Sequence, residues 1–465
     1  MQPIQTPIIP RQPTFAKVVG PHQWNKEGIC VFAATGFFLE KDTYWKDEVV
    51  LPPASQNEFN AQGVLTNSTP WFRWHYTPRD ISFEKALDEF THLFESIMAS
   101  QVANRKVILP ISGGLDSRTQ AAALHYLKKE VVSYSYKFEG GYNETAIARK
   151  IAAQCHFAFE EFTISKGYLW EHIESLAALN KCYSEFTHPR QMAIIDKFEG
   201  MGEVFSLGHW GDVLFDRGAP AGTRDDQALL LIKKKVIKKG GMELATAMWN
   251  FWKLPGTFEA YLDARLQSLW ERIPIDQLSA KMRAFKSLYW APRWTSVNLS
   301  IFEAKKPITL PYYTNEMCEF ICTIPEAYLA DRKLQIAYIM KRNPKLARIT
   351  WEEKKPFHLY NYHLSKVPYN LPYRAVNKAK RAMQGLSRKP FVQRNWELQF
   401  LGPKNDALLQ EYLFHGSLKH FLDESVISHF YHQFLTQDKV AYSHPLSILL
   451  TLALRLKLFE DEKED

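Results

Sequence analysis

Between residues 83 and 207 the sequence alternates segments of helical and of strand character, and this alternation restricts the fold more than any other feature. Short apolar runs predict strands at 106–111, 131–136, 157–162 and 203–207. Segments of helical character lie before and between them, at 83–97, 119–127, 144–153 and 169–179. Strands that alternate with helices join through right-handed crossovers into a parallel sheet. The predicted fold class is therefore α/β, a doubly wound parallel sheet with its ligand cleft at the carboxyl ends of the strands.

The first helix and the end of the chain show the packing that this fold requires. After Ser82, a suitable N-cap, apolar residues recur in steps of four and three, which places them on one buried face. Beyond residue 219 the pattern becomes mostly helical. The apolar run Leu446 to Leu454 is too short to cross a bilayer and predicts a core helix. The proline-rich N-terminus lacks the apolar run of a secretory signal.

Composition excludes several classes of protein. Aromatic residues make up 14% of the 465 residues, which indicates a folded chain with a packed core. The five cysteines are scattered without a C-x2-C pair, so neither a disulfide framework nor a zinc ribbon is expected, and reduced thiols in the cytoplasm fit best. The net charge of +8 does not by itself imply nucleic acid. The basic runs at 233–239 and 374–394 are interpreted as solvated helix faces, and the second is dense enough for a partner surface.

A glycine-rich loop at 112–117 follows the first predicted strand and precedes a helix. It reads Ser112, Gly113, Gly114, Leu115, Asp116, Ser117. Glycines permit close backbone approach, and successive N–H groups at a helix N-terminus form a site for a pyrophosphate, to which the serine hydroxyls can also donate. Ionised Asp116 cannot donate a hydrogen bond to phosphate, so its predicted role is to hold Mg²⁺. The alternative is a turn that only lets strand and helix pack closely.

This loop has the sequence of the pyrophosphatase loop in the synthetase domain of asparagine synthetases, which the chain resembles from Gly36 to Phe357. The resemblance implies a Rossmann-like ATP pyrophosphatase fold that binds ATP and Mg²⁺ and adenylates a carboxylate. The family's second loop matches residues 207–215. By that resemblance Gly208 approaches the nucleotide and Asp212 is the second magnesium carboxylate. The alternative for Asp212 is a helix N-cap.

Two residues of the second loop depart from asparagine synthetases. His209 stands where they have a catalytic glutamate, and Val213 replaces an acidic residue. The loop here reads Gly-His-Trp-Gly-Asp at 208–212. It is similar to the Gly-His-Gly-Gly-Asp loop of lasso-peptide cyclases and of related proteins of polysaccharide and natural-product pathways. His209 is accordingly predicted to be catalytic, with a structural histidine as the alternative. The product is then not expected to be ordinary asparagine.

A third segment, residues 351–357, resembles the family's Lys-x-x-Phe segment and assigns the catalytic lysine to Lys354. Its ammonium group would neutralise charge that develops on the leaving pyrophosphate, which contributes roughly 3 to 4 kcal/mol for one preorganised donor. Lys355 is a contender, and a solvated Glu/Lys run is the alternative interpretation. The segment 309–313 is expected to pack rather than to take part in chemistry. No histidine shows metal-ligand spacing.

The N-terminus departs from the glutamine-dependent members of the family. They carry a cysteine directly after the initiator Met, whereas this chain has Gln2 and its first cysteine is Cys30. The predicted domains are 1–80, a truncated glutaminase-like remnant, and 81–465, a synthase-like domain with its core at 81–218 and a helical continuation at 219–465. Ammonia from glutamine hydrolysed by this chain is not expected. The nucleophile would be free ammonia, ammonia from a separate amidotransferase subunit, or a substrate amine.

Together these features predict an AMP-forming ligase that joins an activated carboxylate to an amine or ammonia. The carboxylate would belong to a small molecule or a peptide, with a precursor peptide or a protease as further candidate partners and no membrane or nucleic acid. A second hypothesis is an enzyme that adenylates a nucleobase or transfers sulfur to tRNA, for which Cys318 and Cys322 form a poor pair. A third is a binding module without activity, against which intact Asp116 and Lys354 argue.

Overall fold

The computed structural model of the protein describes residues 2–141, 145–186, 190–220, 222–385 and 399–464. Its strands are short, and most of them lie in the first half of the chain. Within the described residues the strands are β1 (Ile4–Gln5), β2 (Phe15–Lys17), β3 (Glu48–Val50), β4 (Ser55–Phe59), β5 (Leu65–Pro70), β6 (Val107–Pro110), β7 (Val131–Phe138), β8 (Ala158–Ile164), β9 (Val204–Ser206) and β10 (Ile308–Thr309).

Helices cover the sheet and make up most of the second half of the chain. Within the described residues they are α1 (Lys26–Thr35), α2 (Phe83–Val102), α3 (Asp116–Tyr126), α4 (Thr145–Gln154), α5 (Tyr168–Asn180), α6 (Gly211–Leu214), α7 (Ala228–Val236), α8 (Gly241–Phe251), α9 (Phe258–Glu271), α10 (Leu278–Tyr289), α11 (Ser296–Glu303), α12 (Asn315–Cys322), α13 (Glu326–Leu329), α14 (Lys333–Arg342), α15 (Leu371–Gly385), α16 (Pro403–Gln410), α17 (Leu418–Phe421), α18 (Glu424–Thr436) and α19 (Lys439–Glu464).

The central sheet is parallel and has the strand order β10-β9-β6-β7-β8 in the described part of the chain. From β6 the chain adds β7 and β8 on one side and later returns to add β9 and β10 on the other. The strand order therefore reverses at β6, and a doubly wound sheet opens its ligand crevice at the carboxyl end of such a position. The predicted α/β class is confirmed, and β6 to β9 coincide with the four predicted strands.

Two packing predictions are also confirmed. The Ser82 hydroxyl caps α2 by accepting a hydrogen bond from the Lys85 N–H at 3.2 Å, and Phe90 and Phe94 on its apolar face are completely buried. The run Leu446 to Leu454 lies inside α19 and belongs to the core. Among the described residues, none of the helices combines the length and the apolar character that a bilayer crossing requires.

The N-terminal residues pack against the helical second half of the chain. They form an antiparallel sheet, β1-β4-β5, a pair of strands, β2 and β3, and the buried helix α1. The Ala34 carbonyl of α1 accepts a hydrogen bond from the Lys238 N–H at 3.0 Å, and Arg293 donates to the carbonyls of Glu40 and Asp42 at 2.8 and 2.6 Å. Residues 1–80 thus contribute to the same hydrophobic core as the rest, while a domain boundary at residue 80 stays a prediction.

Candidate active site

The loop at 112–117 lies at the carboxyl end of β6, where the strand order reverses. The Ser112 N–H donates to the Ser117 hydroxyl at 3.1 Å, and the Gly114 N–H donates to the Ser112 hydroxyl at 3.2 Å. Leu115 is fully buried, so its side chain packs in the core. Helix α3 begins at Asp116 and directs its N-terminus at the loop. The loop therefore joins a helix N-terminus with hydroxyl groups, which is the arrangement that binds phosphate.

The segment containing Lys354 packs directly on this loop. The Glu352 N–H donates to the Gly113 carbonyl at 3.1 Å, and a Cβ atom at Gly113 would lie 2.6 Å from Cβ of Glu352. Only glycine fits at this position. Two of the three resembling segments, which are far apart in the sequence, thus meet at one backbone contact.

Arg118 joins the two segments and was not predicted from the sequence. Its buried guanidinium donates to the Ile349 carbonyl at 2.8 Å, the Thr350 carbonyl at 2.7 Å and the Gly113 carbonyl at 3.2 Å. Burial lowers the pKa of Arg118 to about 10, so the group remains charged at neutral pH. A buried cation bonded to three carbonyls fixes the position of the Lys354 segment.

The second loop, after β9, approaches the first through two glycines. A Cβ atom at Gly208 would lie 3.0 Å from Cβ of Asp116, and one at Gly211 would overlap the Asp116 carboxylate. Trp210 between them adopts a positive φ of 75° and donates from its indole nitrogen to the Ser287 hydroxyl at 3.0 Å. The structure therefore places Gly208 beside the phosphate loop, as the resemblance implies.

Asp212 lies in the first turn of α6 and is exposed. The N-cap of this helix is Trp210, and no side chain caps it. The interpretation of Asp212 as a helix N-cap is therefore wrong. Its charge is close enough to Asp116 to raise the pKa of that carboxyl group.

Asp116 is held by residues from α14 and the turn before it. Its Oδ1 accepts hydrogen bonds from the Arg332 guanidinium and, at 3.1 Å, from Gln335, which also accepts from Arg332 Nε at 2.8 Å. Burial raises the pKa of Asp116 to about 6; Arg332 opposes that rise and Asp212 adds to it. Arg332 and Asp331 have positive φ angles of 61° and 59°. Such backbone costs about 1 to 3 kcal/mol per residue and is typical of functional sites.

Asp116 and Asp212 suit Mg²⁺ that arrives with a nucleotide. Magnesium usually retains water and binds one or two carboxylates together with phosphate oxygens. Asp116 engages Arg332 and Gln335 through Oδ1, which leaves Oδ2 for a cation. No group of three or more histidine, cysteine, aspartate or glutamate side chains forms a metal site in the described ranges. Two carboxylates beside a phosphate-binding loop are thus a donor set of the kind that Mg²⁺ uses together with phosphate oxygens.

His209 follows β9 and lies close enough to Asp212 to interact with its charge. Burial lowers the pKa of His209 to about 4, although the Asp212 charge opposes this shift. Its Nδ1 is buried without a hydrogen-bond partner within the part of the chain that the structure describes, and its ring lies edge-on to Phe302 at 6.3 Å. A purely structural histidine would have its buried nitrogen satisfied. The imidazole is therefore uncharged at neutral pH and retains an unused polar atom.

The neighbouring Glu352, rather than Lys354 itself, makes the contact with the phosphate loop. The Nζ of Lys354 lies 2.6 Å from Glu353 Oε1 and 5.3 Å from the centroid of the Trp351 ring. Lys355 pairs with Glu352, the residue that contacts Gly113. Both lysines are about one third exposed. The geometry does not choose between them, and Lys355 stays a contender.

Two further residues near the site carry no motif in the sequence. Lys286 of α10 is close enough to Asp212 to interact with its charge, and burial together with Lys235 lowers the pKa of Lys286 to about 8. The Tyr312 hydroxyl accepts a hydrogen bond from Gln335 at 3.0 Å, and its ring packs on Phe94. The segment 309–313 thus supports the Asp116 network by packing, as expected.

No curated protein sequence matches the chain significantly. Among solved structures, NMN synthetase from Francisella tularensis is similar with 13% sequence identity and a TM-score of 0.23, over 44% of this chain and 93% of that chain. A likeness this distant says nothing about the activity of the present chain. The family model for asparagine synthase matches residues 89–286, which include both glycine loops and end before Lys354. Over residues 89–286 the chain is therefore similar to the asparagine synthase family, and this similarity supports an ATP-using, amide-forming synthetase in general.

Proposed function

We propose that the protein adenylates a substrate carboxylate with ATP and passes the acyl group to an amine or to ammonia. A carboxylate oxygen attacks the α-phosphorus, and the bond to the bridging oxygen breaks as pyrophosphate leaves. The amine then attacks the acyl carbon, loses a proton, and expels AMP as the amide forms. The contact of Asp116 with the loop that carries Asp212, at the N-terminus of α3, is the observation that supports this proposal most.

In this proposal each segment has a separate task. The N–H groups and hydroxyls of 112–117 hold the phosphates, and Gly208 lets the second loop approach them. Asp116 and Asp212 hold Mg²⁺, which when bound neutralises charge on the phosphates. Lys354 donates to the leaving pyrophosphate. His209 accepts a hydrogen bond from the attacking amine.

The identity of both substrates belongs to the proposal as well. The carboxylate is borne by a small molecule or a peptide, and the nitrogen comes from a substrate amine, from free ammonia or from a separate amidotransferase subunit. We place the reaction in the cytoplasm, because the five cysteines are buried and their spacing predicts no disulfide framework.

Sulfur transfer to tRNA receives no support from the thiols. Cys318 and Cys322 are both buried, and burial raises the pKa of Cys322 to about 11 and that of Cys318 well above its ordinary value. A thiolate is the reactive form of cysteine, and these positions suppress it.

The test is an exchange of labelled pyrophosphate into ATP by the purified chain, with candidate carboxylates and Mg²⁺. The proposal expects carboxylate-dependent exchange, and AMP as the nucleotide product once an amine is added. Asp116→Asn is the matched control that removes only the charge of one predicted metal ligand. Release of ADP would overturn the proposal, and binding of ATP without any turnover would favour a binding module.

A further inference from the structure

A cavity of about 720 Å³ borders the segment that contains Lys354, and we call it the basic cavity. Residues 353–355 line one side of it, and the first two turns of α15 line the other. Ligand pockets in proteins typically measure about 300 to 1,000 Å³. The basic cavity is therefore large enough for a small molecule beside the predicted catalytic lysine.

Helix α15 faces the basic cavity with one side. Arg374 and Lys378 are one helical turn apart, and both line the cavity together with Asn377. Val376 is exposed, but it lies two positions from each of these cations, which is about 200° around the helix. It does not line the cavity. The wall that α15 forms towards Lys354 thus carries two cations, and the side of the helix with Val376 is not part of it.

The charges around the basic cavity do not balance. Lys354 and Lys355 each form an ion pair with a glutamate of their own segment. Glu353 is the one carboxylate among the described residues that line the cavity, and it is the partner of Lys354. In the same part of the chain, Arg374 and Lys378 have no carboxylate within ion-pair distance. Two cations are therefore left for an anionic ligand.

The phosphates of ATP do not account for these two cations. Among the described residues that line the basic cavity, none belongs to the loops at 112–117 or 207–215. The cavity and the phosphate loop nevertheless adjoin, because Glu352, next to the cavity-lining Glu353, contacts Gly113. A position beside the phosphate site but outside it is where an adenylating enzyme needs to hold its carboxylate substrate.

We propose that the basic cavity binds a small substrate that carries a second anionic group besides the carboxylate to be activated. The reacting carboxylate lies at the Lys354 end, and the second group, a carboxylate or a phosphate, pairs with Arg374 and Lys378. The arginine fork can donate two parallel hydrogen bonds to either oxyanion, and the lysine adds a point charge from the next helical turn. The inference rests on the proposed function, because Lys354 marks the reacting end of the cavity.

Such a cavity selects its substrate by charge. A monocarboxylate places its one anionic group at Lys354 and leaves Arg374 and Lys378 hydrated, so these cations add little to its binding. A dianion of the same size gains charge-assisted hydrogen bonds with both, and these are the strong hydrogen bonds of proteins. We therefore expect the second charge, rather than length or apolar character, to decide which carboxylates are accepted.

The first experiment measures binding without catalysis. Titration calorimetry uses the full chain with Mg²⁺ and α,β-methylene-ATP, an analogue that occupies the phosphate site and cannot release pyrophosphate. Glutarate is compared with its monoamide, and phosphoglycolate with glycolate, so that the members of each pair differ in one anionic group. We expect the dianion of at least one pair to bind about tenfold more tightly than its partner, with an affinity that falls as salt rises. A preference in the first pair identifies the second group as a carboxylate, and a preference in the second pair identifies it as a phosphate.

Two variants locate the binding site. Arg374→Gln with Lys378→Gln removes both charges and should abolish the preference for the dianion. Lys380→Gln, at an exposed position of α15 that does not line the cavity, is the matched control and should retain it. All three positions are exposed, so the melting temperature should stay nearly unchanged. The inference is overturned if neither pair shows a preference in the unaltered chain, or if the preference survives in the double variant.

The second experiment separates failure of this inference from failure of the proposed function. Pyrophosphate exchange is measured with the preferred dianion and with its monoanionic partner. The double variant should raise KM for the dianion about tenfold and leave KM for ATP unchanged, whereas Lys380→Gln should change neither. A rise in KM for ATP would assign the two cations to the nucleotide and contradict the inference.

Two further outcomes decide between the proposals. Exchange that is equally efficient with dianions and monoanions contradicts the inference and leaves the proposed function intact. An unaltered chain without exchange on any carboxylate contradicts the proposed function instead, and the calorimetric comparison then still decides whether the cavity prefers dianions.

Discussion

The surroundings of Asp116 and those of Lys354 differ in how the predicted catalytic groups are held. Asp116 is bonded to Arg332 and Gln335, which come from a distant part of the chain, and the network continues to Tyr312. Lys354 is held by the neighbouring Glu353 and Trp351 and borders an open cavity. The phosphate side of the site is thus preorganised, whereas the lysine side is accessible. Phosphate chemistry needs fixed charges, and a substrate needs a way in.

The largest expected effect is that of Asp116, because Arg332 and Gln335 both bond to this carboxylate. Asp116→Asn should lower pyrophosphate exchange by about a thousandfold or more, since it removes a charge that holds Mg²⁺ in the transition state. The measurement is exchange at saturating ATP, with thermal unfolding as the control for structure. Exchange within tenfold of the unaltered chain would show that this carboxylate does not hold the metal.

The next largest effect distinguishes Lys354 from Lys355, the two lysines that line the open cavity. Lys354→Ala should lower exchange by roughly 10² to 10³, the loss expected for one transition-state donor, whereas Lys355→Ala should lower it less than tenfold. Both variants are surface truncations and should leave the melting temperature nearly unchanged. The opposite ranking would move the catalytic assignment to Lys355, which pairs with Glu352 beside Gly113.

A substitution at Arg332 tests whether metal and nucleotide binding depends on the residues that hold Asp116. Arg332→Lys keeps the charge but loses the guanidinium geometry that joins Asp116 to Gln335, so Mg²⁺·ATP should bind about 10- to 100-fold more weakly, as for other outer partners of metal ligands. Calorimetric titration with Mg²⁺·ATP measures this without turnover. Arg217→Lys, an exposed arginine that pairs with Asp331, serves as the control and should bind normally.

A smaller effect is expected from pH. Because burial raises the pKa of Asp116 to about 6, the ionised form that binds Mg²⁺ is lost as pH falls through that value, and exchange should drop about tenfold between pH 7 and 5. A tenfold increase in Mg²⁺ should move the midpoint to lower pH, because the cation competes with the proton. If the midpoint pH does not change with the Mg²⁺ concentration, the titrating group is not Asp116.

The two regions also differ in how far the sequence reveals them. Strands β6 to β9 and the loop at 112–117 could be predicted, because short apolar runs and a local glycine string carry that information. Arg118, Arg332 and Gln335 could not, since each bonds to a partner more than 200 positions away and no spacing links them to the loop. Strand β10 has two residues and pairs only at the edge of the sheet, which is too short for a pattern.

Arg118 has a consequence for how such a site can change over evolutionary time. Its guanidinium bonds to the backbone carbonyls of Ile349 and Thr350, and to no side chain there. Bonds to backbone atoms do not depend on which side chains the attached segment carries. Replacements at 349 and 350, or a new sequence after them, would keep the anchor while altering what the open side accepts. Arg118 thus allows the segment that contains Lys354 to change in sequence while it stays attached to the phosphate loop.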